Sequence, residues 1–304
     1  MTDWLGNLQQ STFQGVNNIT INYCVMAQSQ PSPAIIMVSG RSESYLKYQA
    51  LINEFYEMGY SVYMHDHRGQ GLSQRLLTDT HKGHVEKFSD YVDDLAMFID
   101  SIVIPMKHTD HVVFSHSMGG LIATRYLQTK RNRIHKLILS SPMYGVILPA
   151  PKKVVQCITN IVMWLDDLLK REPSYTLGGK PYRELSFEEN QLTQDSLRYE
   201  TFRTLYRENP QLQLGSPTYL WLKTSLNACQ QSIVQTNRIM IPTLLLQAGE
   251  DTIVDNDAQN EFAANMSPDL ITKVDIDAAK HELFFEVDDI RTQAMAQVRN
   301  FLPK

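Results

Sequence analysis

The sequence predicts an α/β protein: a mostly parallel sheet with helices on both faces. Three observations predict it. Apolar, β-branched runs recur along the chain, segments with apolar residues at helical spacing lie between most of them, and the alternation is interrupted once, between about residues 143 and 240, before strands resume.

The runs, in order, are NITINYCVM (18–26), AIIMVSG (34–40), SVYMHDH (61–67), HVVFSHS (111–117), KLILSSP (136–142), TLLLQAG (243–249) and ITKVDID (271–277). Most are apolar throughout, the pattern of strands covered on both faces, which in turn requires crossover connections and a parallel sheet. Tyr48, Leu51, Ile52, Phe55 and Tyr56 predict one crossover helix. Tyr91, Val92, Leu95, Phe98 and Ile99 predict another, and 290–302 predicts the last. The stretch 143–240 mixes aromatic and charged residues at helical spacing around a turn-rich segment, KREPSYTLGGKPYRELSFEENQLTQDS, and reads as an insertion over the sheet.

Composition bounds the function. A chain of 304 residues with 43% hydrophobic and 20% charged residues can bury a large core without metals or disulfides. A net charge of -5 with no basic run gives no affinity for nucleic acid. Cys24, Cys157 and Cys229 are odd in number and widely spaced, so neither a disulfide framework nor a zinc ribbon is expected. MTDWLGNLQQ has no basic stretch leading into an apolar one, and no segment reaches the roughly 18 apolar residues of a membrane span. The expected location is the cytoplasm, with contact at the inner membrane surface.

The chemistry gathers around VVFSHSMGG, where a strand ends at Ser117 and a helix begins near Met118. A sharp strand-to-helix turn exposes the serine Oγ and demands small residues two positions to either side, here Ser115 and Gly119. A serine N-cap followed by a close-packing glycine accounts for a lone S-x-S-x-G equally well. What separates the readings is the rest of the chain, because acyl transfer needs a base and a carboxylate, and in this class of sheet the order is serine, acid, histidine. Asp251 follows the run TLLLQAG, with Glu250, Asp255 and Asp257 as neighbouring alternatives, and His281 follows ITKVDID.

With these motifs the sequence resembles the α/β-hydrolase superfamily, in its serine hydrolase branch of bacterial lysophospholipases and monoacylglycerol lipases. Asp66, Arg68, Gly69, Gly71 and Ser73 in YSVYMHDHRGQGLSQR match that branch's D-x-R-G-x-G-x-S segment, GEDTIV and HELFFE look like its acid and histidine segments, and FEENQLTQD resembles part of its cap. The resemblance covers nearly the whole chain. It implies the α/β-hydrolase fold, an eight-stranded sheet with a helical cap inserted after the sixth strand. The core is then 1–142 with 241–304 and the cap 143–240. It further implies that Ser117, Asp251 and His281 are catalytic, that the backbone N–H groups of Arg41 and Met118 form an oxyanion hole, and that no metal or cofactor takes part. Two positions depart from the branch: Ser115 replaces the first elbow glycine, and Ser39-Gly40-Arg41 stands where His-Gly is usual.

The expected activity is hydrolysis of the acyl ester of a lysophospholipid, releasing fatty acid and the glycerophospho head group through an acyl-enzyme. A monoacylglycerol lipase or general carboxylesterase is the alternative; an acyltransferase, a thioesterase, a peptidase and a non-catalytic binding protein of the same fold stay open. A serine at the elbow argues against dehalogenases and epoxide hydrolases, which place aspartate there. His116 is expected to pack or face the cap, and Asp66 and Arg68 to organise a loop. His65 with His67, and His81 with His84, lack a third ligand nearby for a metal. Val154, Ile158, Ile161, Val162, Leu165, Leu168 and Leu169, flanked by Lys152, Lys153, Lys170 and Arg171, predict an amphipathic cap helix that faces an acyl chain, a lipid surface or the cap's own core. Head-group choice is expected to depend on cap residues such as Asp166, Asp167, Glu188 and Glu189.

Overall fold

A computed structural model describes residues 8–148 and 150–302. The N-terminal reading of MTDWLGN therefore falls on residues 1–7, outside the described ones. Eight strands form one sheet in the order β1-β2-β4-β3-β5-β6-β7-β8, with β1 Gln9–Gln14, β2 Thr20–Met26, β3 Ala34–Val38, β4 Ser61–His65, β5 His111–His116, β6 Lys136–Ser140, β7 Thr243–Ala248 and β8 Ile271–Ile276. β1, β2 and β4 pair antiparallel, and every other pairing is parallel. β3, β4, β5 and β7 are buried along their whole length, as their unbroken apolar runs require.

The helices are α1 Gln49–Glu57, α2 Phe88–Phe98, α3 Met118–Thr129, α4 Lys152–Leu168, α5 Ser196–Glu208, α6 Tyr219–Val234, α7 Asn256–Asn265 and α8 Asp288–Phe301. Each predicted crossover stripe is buried: Leu51, Ile52 and Phe55 on α1; Tyr91, Val92, Leu95 and Phe98 on α2; Ala294, Met295 and Val298 on α8. One apolar cluster joins the sheet to α2, α3 and α7; a second joins the opposite face to α1 and α8. α4, α5 and α6 all lie between β6 and β7 in the chain. α6 packs its Trp221, Ala228, Cys229 and Ile233 into the first cluster, whereas Tyr199, Phe202 and Tyr206 of α5 form a small cluster of their own with Leu212.

Candidate active site

Ser117 sits between β5 and α3 with φ 52° and ψ -119°, a conformation that costs a residue with a side chain on the order of 1–3 kcal/mol and holds the hydroxyl off the strand end. The surrounding crowding explains the small residues. A Cβ on Gly119 would stand 2.1 Å from the Val38 carbonyl oxygen and 2.4 Å from that of Ser39, so no other residue fits there. Ser115, by contrast, is fully buried and donates its hydroxyl to the Ile138 carbonyl at 2.9 Å, which gives the departure from glycine a partner across β6.

His281 and Asp251 meet this serine from the ends of β8 and β7. The Asp251 side chain, closed off from solvent, has Oδ2 2.6 Å from His281 Nδ1, and an ionised carboxylate can only accept, so Nδ1 carries the hydrogen. Nε2 is then free to accept from the Ser117 hydroxyl, 2.9 Å away. Asp251 Oδ1 takes the backbone N–H groups of Ile253 and Val254 at 2.8 and 3.1 Å. Burial pushes the Asp251 carboxyl up, but the His281 hydrogen bond and charge, with these two amides, outweigh it and hold the group below its ordinary range. The other acids are placed elsewhere: Asp255 caps α7 by accepting from the Asp257 N–H, and Glu250, Asp257, Asp275 and Asp277 are exposed.

The loop after β3 carries Gly40 and Arg41 past Ser117, and its anchoring comes from residues that the pattern did not single out. Gln70 donates to the carbonyls of Gly40 (2.8 Å) and Glu43 (2.9 Å) and accepts from the Ser42 N–H (3.1 Å). Glu43 accepts the Gly40 N–H at 2.6 Å, and His67 Nε2–H donates to the Ser39 carbonyl at 3.0 Å. The Arg41 guanidinium donates to the Gly215 carbonyl and lies 5.4 Å from the Trp221 ring, tying the loop to the insertion. Burial lowers this guanidinium to about 10. Met118 opens α3, so its N–H is one of those a helix leaves without an intrahelical acceptor.

Asp66 and Arg68 are loop organisers. Asp66 accepts from the Ser44 hydroxyl and from the Tyr45 and Leu72 N–H groups, and a Cβ on Gly71 (φ 56°) would collide with its carboxylate at 2.1 Å. Arg68 forks onto Asp94 at 2.6 and 2.7 Å and donates to the Val16 carbonyl.

Beneath the serine lies a buried ionic group. Lys47 Nζ donates to Glu43 at 2.8 Å and to Glu282 at 2.6 Å, and Tyr48 donates its hydroxyl to Glu43 at 2.6 Å. Burial raises the Glu43 carboxyl, yet the Lys47 ammonium, with the hydrogen bonds from Lys47 and Tyr48, holds it below its ordinary range. His116 is buried with its ring 4.8 Å from that of His281, and desolvation lowers it to about 3. Glu43, His116 and Glu282 approach the spacing of metal ligands, but the Lys47 ammonium already bonds both carboxylates and fills a cation's place between them. His65 and His67 stand edge-on at 5.0 Å, and His84 bonds Thr218 at 3.0 Å.

Ser117 and His281 line a cavity of about 850 Å³ between the strand ends and α5 and α6, which also takes in Arg41, Met143, Tyr182, Arg203 and Tyr206. The four cap acids expected to decide head-group choice do not line it. Asp166 is occupied by Arg171 and Ser174, Glu189 pairs with Arg183, and Asp167 and Glu188 are exposed. FEENQLTQD, known at the sequence level only by likeness, braces the histidine loop: the Leu192 carbonyl accepts the Glu282 N–H at 2.9 Å, and the Thr193 hydroxyl donates to the Phe285 carbonyl at 2.7 Å.

A serine at such a turn, facing a histidine and a carboxylate on strands of this sheet order, places the chain among the α/β hydrolases. A family model described as serine aminopeptidase, S33 (Hydrolase_4) matches residues 29–288, and the chain belongs to that family. It is 34% identical over 306 residues to lysophospholipase L2 of Escherichia coli (strain K12), covering 99% of this chain and 89% of the relative. It is 36% identical over 290 residues to the probable lysophospholipase L2 of Haemophilus influenzae, covering 95% and 90%. The fold is similar to a soluble variant of monoglyceride lipase from Saccharomyces cerevisiae solved with a substrate analogue, at TM-score 0.72 and 17% identity over 97% of this chain and 94% of that one.

Proposed function

We propose that the protein is a serine hydrolase that cleaves the acyl ester of a lysophospholipid through an acyl-enzyme on Ser117. The hydrogen-bonded line from Ser117 through His281 to Asp251, opening on one cavity, carries the reading. The names of the near full-length relatives, lysophospholipase L2, supply the substrate class. In the first step His281 Nε2 takes the serine proton as Oγ attacks the ester carbonyl, and Asp251 stabilises the imidazolium. The Arg41 and Met118 N–H groups hold the oxyanion, each contributing on the order of 3 kcal/mol. Collapse expels the glycerophospho alcohol, which takes the proton back from His281; water activated by the same nitrogen then releases the fatty acid.

Residues 143–240 act as the cap over this cavity. The outer face of α4 supports a place at a lipid surface: Val154, Cys157, Ile161, Trp164 and Leu168, three and four residues apart, are all exposed, with Lys152 and Lys153 at one end and Lys170 and Arg171 at the other. Among the described residues, no helix is long and apolar enough to cross a membrane. Replacing Ile161 and Trp164 together by serine is expected to cut pelleting with anionic vesicles about tenfold while a short soluble ester is still hydrolysed.

Ser117→Ala tests the chemistry. Covalent labelling by a fluorophosphonate should disappear, and kcat on lysophospholipid should fall on the order of a millionfold. Undiminished turnover in that variant, or cleavage of an aminoacyl anilide in place of any ester, would overturn the reading. Comparing lysophospholipid with monoacylglycerol in the same assay separates it from a monoacylglycerol lipase.

A further inference from the structure

Arg203, on α5, is a buried cation without an anion among the described residues. It is 7% exposed, its Nε is enclosed with no hydrogen-bond partner, and Nη1 reaches only the Tyr182 hydroxyl at 3.4 Å. Among the described residues no carboxylate lies within 4.0 Å of it; its guanidinium is held instead against the rings of Tyr199 and Phe202, at 4.7 and 4.6 Å. Leaving a guanidinium so enclosed and unpaired is costly unless something else supplies the negative charge. Arg203 lines the same cavity as Ser117.

The cavity itself points to an anion. Among the described residues its wall carries Arg41, Lys47, Lys180, Arg183 and Arg203 against Glu43 and Glu282, in a chain whose net charge is -5. Both carboxylates are committed to Lys47, and Arg183 pairs with Glu189 outside the wall. The wall also has two characters. Met143, Val146, Ile253 and Val254 belong to the large apolar cluster of the α2–α3 face, whereas Arg203 stands with the aromatic cluster of α5. One turn beyond Arg203, Tyr206 donates its hydroxyl to the Ser42 carbonyl, which fixes this face of α5 on the loop beside Ser117.

We propose that Arg203, assisted by the Tyr182 hydroxyl, binds the phosphodiester of the lysophospholipid head group while the acyl chain runs along the apolar wall. The proposal rests on the ester-hydrolase reading above and goes beyond it by naming the group that selects a phospholipid over a neutral glyceride. A guanidinium fork suits a phosphate because two parallel N–H groups can meet two of its oxygens, a geometry that lysine does not reproduce.

The test is a ratio. For wild type, Arg203→Lys and Arg203→Met, kcat/KM is measured on lysophosphatidylethanolamine and on a monoacylglycerol of the same acyl chain, presented in the same mixed micelles. The ratio of the two should fall on the order of 100-fold in R203M and by an intermediate amount in R203K, with fluorophosphonate labelling of Ser117 retained. Glycerophosphoethanolamine should inhibit wild-type monoacylglycerol hydrolysis competitively, and this inhibition should vanish in R203M. An unchanged ratio, as a purely aromatic packing role predicts, overturns the assignment of Arg203. If R203M does not fold, the inhibition of wild type and the ratio in R203K decide. A wild type that turns over monoacylglycerol but no lysophospholipid overturns the substrate reading of the previous section as well. A wild type that hydrolyses neither fails at Ser117 instead.

Discussion

His281 can serve as a base only in one tautomer, and Asp251 is what sets it. With Nδ1–H committed to the carboxylate at 2.6 Å, the lone pair of Nε2 faces the Ser117 hydroxyl. An asparagine at 251 would keep an oxygen for the Ile253 and Val254 amides but could turn its NH₂ toward the imidazole, favouring the opposite tautomer. Asp251→Asn is therefore expected to fold normally and to lose on the order of 10⁴ in kcat, read from ester hydrolysis against the melting curve of the same preparation. Gly119 makes the contrasting case, because its constraint is steric. Alanine there must push its Cβ away from two backbone carbonyls that belong to β3 and the loop after it, so Gly119→Ala should cost about 3 kcal/mol in a denaturant titration and displace the serine with it.

At the scale of elements, the site depends on how one loop is held. Gln70 makes three hydrogen bonds to the segment 40–43, two of them to the carbonyls of the buried residues Gly40 and Glu43. On the proposed role of the Arg41 N–H as an oxyanion donor, Gln70→Ala should lower stability by about 2 kcal/mol and reduce kcat on the order of tenfold to a hundredfold with little change in KM, since the loop would no longer hold that N–H in place. Steady-state kinetics on a soluble ester would show it; a loss confined to KM would mean that the loop touches substrate and not the transition state. Gln70 also marks where sequence reading stops. Asp66, Arg68 and the glycines around them stand out through their likeness to the family's D-x-R-G-x-G-x-S segment, whereas a glutamine whose work is to satisfy backbone carbonyls across a loop leaves no periodic or chemical pattern. Glu282 is silent for a related reason: a buried charge is legible only through its partner, and its partner Lys47 is 235 residues away.

Over the whole molecule, burial decides both what was legible and how the protein should respond to acid. Strands covered on both faces announce themselves as apolar runs; β1, an exposed edge with the sequence QQSTFQ, does not, and came only with the family resemblance. α4 misleads in the opposite sense, since its apolar residues fall on two faces, with Val155 turned inward and Trp164 outward, so periodicity alone could not say which side meets protein. The same sheet encloses His65, His67 and His116, and desolvation holds all three below the ordinary value of 6.5: His67 to about 4 and His116 to about 3. A histidine with a depressed folded-state value adds nothing to the pH dependence above 6.5. Below it, the unfolded chain takes up a proton that the folded chain refuses, so stability falls as pH falls until the folded value is reached, at about 1.4 kcal/mol per pH unit for each such group. His67→Gln isolates one of them, because glutamine can still donate to the Ser39 carbonyl but does not titrate. Denaturant unfolding at intervals from pH 7.5 to 4 should give wild-type and variant curves that run parallel above 6.5 and converge or cross below it, the wild type losing stability faster by one proton's worth down to pH 4. Curves that stay parallel throughout would mean that His67 is protonated in the folded protein, and the enclosed, neutral imidazole described here would be wrong.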